Sequence, residues 1–312
     1  MGRFFCLDII EQKFYNKKNG KGGIAVHFVK AKGIIGTNNG MNIYRGCQHG
    51  CIYCDARSSC YQMNHLFEDI EVKENALELL EAALKSRRKP TVIGTGAMTD
   101  PYMPLEGQLQ MTRRSLELIK KYGFGATVLT KSDLILRDLD LFRRINAKTK
   151  AVAQISLTCM DDSLSRLIEP NVCPTSRRIE VLREFQKCGV PTVVWLCPIL
   201  PFLTDTEENL RGILDACRDT AVKGIIWYGP GVTLRDGDRE YFYANLDKKF
   251  PGLKEEYICR YGNTYEVNSP NGAYLNRLFH ETCEQYGIWH DNEQIFTYLH
   301  TLEEREDQLS FF

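Results

Sequence analysis

"MNIYRGCQHGCIYCDAR", residues 41–57, runs a β-prone segment straight into three cysteines. MNIYRG (41–46) reads as a strand. Cys47, Cys51 and Cys54 follow at C-x3-C-x2-C spacing, with Tyr53 just before the last sulfur. What surrounds this segment decides its use. Parallel α/β folds place their chemistry in the loops that leave the carboxyl ends of strands.

Outward from it, short β-rich runs alternate with amphipathic stretches. TVIG (91–94) precedes MTRRSLELIKKY (111–122), where Met111, Leu116, Ile119 and Tyr122 share a helix face. ATVL (126–129) precedes LILRDLDLFRRINA (134–147), and VAQISLT (152–158) precedes SRRIEVLREFQKCG (176–189). TVVWLC (192–197) precedes TEENLRGILDACRDTA (206–221), and GIIWYG (224–229) closes the series. ENALELLEAALKS (74–86) is a further helix. With 41–46 this makes six strand candidates, which argues for a parallel sheet clothed in helices. An incomplete barrel and a doubly wound sheet both satisfy that rhythm, and periodicity does not choose between them. Residues 1–39 read as an arm with a short strand at IAVHFV, 40–235 as the α/β unit, and 236–312 as a helical extension packed on it.

The totals bound the function. The chain has 312 residues, 40 basic and 40 acidic, so it has no global attraction to nucleic acid or to an acidic membrane. No stretch is apolar for the length a bilayer needs and no export signal opens the chain, so a cytoplasmic, reducing location is expected for its 12 cysteines. Cys159, Cys188, Cys197, Cys217 and Cys283 sit in apolar or helical patterns and read as small buried hydrophobes. The basic pairs at 87–88, 113–114, 143–144 and 177–178 read as solvated helix surface. The aromatics Tyr241, Phe242, Tyr243, Tyr257, Tyr261 and Tyr265 read as packing rather than a substrate mouth.

Four readings compete for Cys47, Cys51 and Cys54. A zinc site needs a fourth ligand, which Cys60, His49 or His65 would have to supply. A redox pair, Cys51 with Cys54, leaves Cys47 unexplained. Unrelated thiols do not account for the density. An iron–sulfur cube held by three thiolates leaves one iron open, which makes the missing fourth thiol a functional feature.

C-x3-C-x2-C with an aromatic before the last cysteine resembles the signature of radical S-adenosylmethionine (SAM) enzymes. TDPYMPLE (99–106), LTKS (129–132), SLTCMDDSLSRLIEP (156–170), PILPFLTD (198–205) and YGNTYEVNSPN (261–271) resemble the spore photoproduct lyase-like branch of that superfamily. The resemblance implies a partial (β/α)6 TIM-like barrel, a [4Fe–4S] cluster and SAM. It implies reductive cleavage of SAM to a 5′-deoxyadenosyl radical that takes hydrogen from a substrate, with an external flavodoxin- or ferredoxin-like electron donor.

By position in these motifs, the resemblance makes Cys47, Cys51 and Cys54 cluster ligands and Tyr53 the aromatic beside them. It puts Thr99, Asp100, Lys131 and Ser156 against the polar parts of SAM, and Pro198 and Ile199 against its adenine. Read without it, Asp100-Pro101 is a turn, Lys131 a solvated lysine and Ser156 a core hydroxyl. Authentic spore photoproduct lyases carry a cysteine after the second strand, where this chain has Gly96-Ala97-Met98. Cys60 and Cys159 are stand-ins at other places. The expectation is therefore a relative acting on another substrate. DNA photoproduct repair and a non-catalytic iron–sulfur, zinc or electron-transfer protein are the alternatives.

Overall fold

The apolar, β-branched runs between residues 92 and 226 pair side by side in the order they are synthesised. The computed structural model describes residues 25–302. The remainder of the N-terminal arm (1–24) and of the C-terminal extension (303–312) lies outside the described residues.

The arm contributes β1 (Val26–Val29). Then come β2 (Gly40–Met41), β3 (Tyr44–Arg45), β4 (Ile70–Lys73), β5 (Val92–Thr95), β6 (Gly125–Thr130), β7 (Ala151–Ser156), β8 (Thr192–Trp195) and β9 (Gly224–Ile226). A six-stranded, all-parallel sheet has the order β2-β5-β6-β7-β8-β9. A doubly wound sheet reverses its direction at a switch point. This order never reverses, so the helices that connect its strands lie on one side and the sheet curls into a partial barrel.

Three sequence expectations change. The run 41–46 is not one strand: Met41 ends the barrel's edge strand, while Tyr44 and Arg45 join a separate sheet of order β1-β4-β3. The chain turns there because Tyr44 is buried and held by Glu106 through a 2.5 Å hydrogen bond from its hydroxyl. Gly46 then sits at φ +85°, where a Cβ would lie 2.5 Å from the Phe67 carbonyl oxygen. Residues 134–147 are not one α-helix either. Ser132 caps a 3₁₀ turn over Asp133–Asp138, and the α-helix starts at Leu139. Asp138 is buried and holds Arg113, Arg137 and the Tyr102 hydroxyl, which fixes the kink.

The stretch after β9 is not purely helical. Strands β10 (Gly231–Thr233) and β11 (Glu266–Asn268) pair antiparallel beside the barrel mouth. Trp289 then lies parallel against β9, its amide donating to Lys223 and its carbonyl accepting from Ile225.

Inside the barrel the strands form layers. Ser156 and Trp195 face the mouth. Alternation puts Gln154 and Val152 on the same face as Ser156. The Trp195 indole donates to Gln154 at 2.7 Å, and Gln154 donates to Thr127. Below that polar belt, Val152, Val193 and Ile226 pack on Ile295 and Leu299 of the helix Asn292–His300, which fills the barrel's far end. A second apolar cluster, with Phe242, Leu246 and Tyr257, packs against the cysteine loop through Ile52 and Tyr53. Phe242, Tyr243, Tyr257 and Tyr261 thus pack as their pattern suggested, while Tyr265 is exposed beside Arg235.

Candidate active site

A cavity of about 620 Å³ opens at the carboxyl ends of the barrel strands. Cys47, Cys51 and Cys54 line one wall, and Thr99, Asp100, Lys131, Ser156, Trp195, Cys197 and Pro198 come from successive strand ends. The structure thus gathers every residue expected at the site except Ile199. Ile199 is buried in the main core.

Backbone bonds shape the cysteine loop. Cys47 donates to Phe67, Ile52 donates to Ile168, and Asn171 donates to the His49 carbonyl. The Asn171 side-chain amide donates to the Gln48 carbonyl, and the Gln48 side chain accepts from the Leu105 amide. The loop is therefore clamped from three sides before any ligand is considered.

The three thiols are free. The Cys51 pKa is raised by burial first, then by the charges of Glu169, Cys54 and Cys47. Burial likewise raises Cys54 to about 11, with Cys47 adding to it. Three thiols brought to one wall of the cavity are a soft donor set that fits an iron–sulfur cluster. Cys197 also lines the cavity.

Beside the thiols is a buried charge network. Asp100 accepts from the Tyr102 amide (2.8 Å), the Thr130 hydroxyl (2.7 Å) and the Lys131 amide (2.8 Å), and its second oxygen is 3.3 Å from His49 Nδ1. Its carboxylate is fully engaged by the protein, so it positions its neighbours rather than reaching for a ligand. Burial opposes the charge on His49, but Asp100 and Cys47 outweigh it and raise its pKa to about 9. Cys47 moves the other way: burial raises its pKa, and the neighbouring imidazolium more than reverses that. Burial likewise opposes the charge on Lys131, yet Cys51, Glu169 and Asp100 hold its pKa above the ordinary lysine value. Among the described residues its ammonium donates no hydrogen bond, which leaves three donors for an anion in the cavity.

Two further residues hold the floor. The Tyr53 hydroxyl donates to Glu169, which also pairs with Arg178. Arg178 is 1% exposed and donates to the carbonyls of Ser156 (2.9 Å) and Cys173 (3.0 Å) and to Ser165 (3.1 Å). This corrects the solvated-surface reading of the 177–178 pair: the helix Thr175–Lys187 turns Arg178 inward beneath the end of β7, where Glu169 neutralises it. Glu169 itself carried no signal beyond its place in the quoted motif.

Cys197 is the other correction. It lines the cavity instead of lying wholly in the core, and burial pushes its pKa up to about 12. Cys60 is exposed beside Arg235, and Cys159 is buried with its thiol donating to the Asp161 carbonyl, so neither faces the cavity. Tyr228, 64% exposed, stands at the mouth.

The sequence model of the Radical SAM superfamily matches residues 41–214. An uncharacterized Mycobacterium tuberculosis protein is 28% identical over 253 residues, covering 78% of this chain and 71% of its own. An uncharacterized Methanocaldococcus jannaschii protein is 33% identical over 178 residues, 56% of this chain and 65% of its own. A spore photoproduct lyase solved with a dinucleoside spore photoproduct matches with a TM-score of 0.63, over 91% of this chain and 93% of that one, at 14% identity. At that identity the likeness is one of fold. Among the described residues, no helix is long and apolar enough to cross a membrane. Since the family's sequence model covers more than half of the 312 residues, the chain belongs to the radical SAM superfamily.

Proposed function

We propose that this protein holds a [4Fe–4S] cluster on Cys47, Cys51 and Cys54, binds SAM in the adjoining cavity and removes a hydrogen atom from a small organic substrate. A one-electron donor of the flavodoxin or ferredoxin type would supply the reducing electron. When bound, the cluster would supply the reducing electron for cleavage of SAM.

The protein's own residues bind, orient and shield. Lys131 offers a buried ammonium to a carboxylate, a charge-assisted contact in low dielectric. Asp100 fixes the Lys131 backbone and keeps His49 charged against Cys47. Tyr53 is locked by Glu169, and Trp195 and Pro198 give the cavity an apolar wall against water. Cys197 lines the cavity and retains its proton at neutral pH.

The observation that carries this reading is the set of three thiols on one wall of the cavity, beside a charged lysine at the strand ends. Nucleic acid is a weaker substrate class. The mouth carries Asp55 and Glu266, and Arg113, Arg177 and Arg178 are each paired with carboxylates.

Anaerobic reconstitution with iron and sulfide, followed by dithionite and SAM, is expected to yield 5′-deoxyadenosine by chromatography. Cys51→Ala is expected to yield none. A colourless protein that binds zinc at these cysteines and leaves SAM intact overturns the reading.

A further inference from the structure

Away from the cavity, on the small sheet that joins the arm to the cysteine loop, three metal-ligating side chains converge. His27 on β1 lies directly across from Glu71 on β4 in the parallel register. His65 comes from the loop between Tyr61 and β4, and its ring meets that of His27 edge-on, centroids 4.7 Å apart. One ligand atom from each of His27, His65 and Glu71 lies within 4.8 Å of the others.

The hydrogen bonds around these rings have a direction. His27 Nδ1 is 3.0 Å from an Asp69 carboxylate oxygen, and His65 Nδ1 is 3.1 Å from the Leu66 carbonyl. An imidazole whose Nδ1 is held by a carboxylate or a backbone carbonyl is oriented to ligate through Nε2. His65 Nε2 is buried and has no hydrogen-bond partner. Its nearest carboxylate oxygen, on Glu71, is 3.8 Å away, too far for a hydrogen bond. A buried ring nitrogen without a partner, aimed between an imidazole and a carboxylate, lacks a positive centre.

We infer that His27, His65 and Glu71 bind a divalent zinc-class ion, oriented by Asp69 and the Leu66 carbonyl. Two imidazoles and a carboxylate are a borderline donor set that suits zinc. Metal–ligand bonds of about 2.0–2.2 Å set tetrahedral donors roughly 3.3 Å apart, so closure takes side-chain rotations of an ångström or so. Three protein ligands leave a fourth position for water.

The ion staples β1 of the arm to β4 and to the segment after the third cluster cysteine. Phe67, two residues past His65, accepts the Cys47 amide, so the staple also braces the cysteine loop. It is separate from the thiols: none of Cys47, Cys51 or Cys54 belongs to this group.

The test is a zinc titration of the anaerobically reconstituted, desalted protein against a chromophoric chelator, with iron measured in parallel. Wild type is expected to take up one tight zinc equivalent without losing iron. His65→Ala and Glu71→Gln are each expected to lose it while keeping their iron, and Asp69→Asn to weaken it by about 10- to 100-fold. Cys51→Ala, cluster-free, is expected to keep it, so this site fails or stands independently of the proposed function. Equal zinc uptake in wild type and both ligand variants overturns the inference. So does zinc binding by wild type no tighter than about 100 µM, a free energy of roughly 5.5 kcal/mol.

Discussion

Lys131 and Cys197 are the two cavity residues whose protonation matters most to the proposed chemistry. Charge-assisted hydrogen bonds contribute about 1.5–3 kcal/mol, so Lys131→Met is expected to weaken SAM binding by roughly 10- to 150-fold in calorimetry. The cluster content should stay that of wild type, because Lys131 is not a thiol ligand. Unchanged affinity would remove Lys131 from the binding site. Cys197 is tested by its reactivity. With its pKa near 12, only about one thiol in ten thousand is thiolate at pH 8, and the thiolate is the nucleophile. Mass spectrometry after iodoacetamide treatment is expected to show exposed Cys60 and Cys259 alkylated long before Cys197. Alkylation of all three at one rate would contradict its raised pKa. The trio and Lys131 were legible in the sequence because their meaning lies in local motifs. Cys197 was not, since TVVWLC reads as a buried strand and nothing in it says that the residue lines a cavity. Glu169 was hidden for a different reason: it meets Tyr53 across 116 residues of sequence, a separation no spacing rule spans.

The Glu169–Arg178 pair bolts three elements together: the turn after the helix Asp162–Ile168, the helix Thr175–Lys187 and the end of β7. Removing one partner of a buried pair strands the other, at a cost of about 3–5 kcal/mol. Glu169→Gln keeps the shape and is expected to lose that much in urea unfolding at pH 7. The pH dependence has a fixed sign. Burial opposes the charge on Glu169, but Arg178 and Lys131 outweigh it, and the folded pKa lies below the ordinary glutamate value. Its contribution is therefore complete above the unfolded pKa, about 4.3, and is lost as pH falls through the folded one. The gap between wild type and Glu169→Gln should narrow on acidification, and a gap that widens would refute the charge assignment. At this scale the sequence was most legible where pattern and packing agree. The helices expected at 111–122, 176–189 and 206–221 are found at Met111–Lys121, Thr175–Lys187 and Glu207–Asp219. It misled at 41–46 and 134–147, where a buried side chain, Tyr44 or Asp138, overrides the local propensity by tying the backbone to a distant partner.

For the molecule as a whole, the question is what closes an open barrel of six strands. Rhythm alone could not separate this barrel from a doubly wound sheet, since both alternate strand and helix; strand order decides, and order is a long-range property. The mouth is left to ligands, and the far end is filled from within by the C-terminal helix. Gly224 shows how close that helix comes: a Cβ there would sit 3.0 Å from Ile295. Ile295 is fully buried against Val152, Val193 and Ile226. Ile295→Ala is expected to cost about 2–5 kcal/mol, the range for a large-to-small change in a packed interior. The polar belt of Thr127, Gln154 and Trp195 separates that plug from the cavity. The loss should therefore appear as a lower melting temperature, while 5′-deoxyadenosine formed per cluster, assayed well below the melt, stays at the wild-type level. If radical chemistry falls in step with stability, the belt does not insulate the mouth, and plug and site are one mechanical unit. If neither changes, the helix does not hold the far end of the barrel.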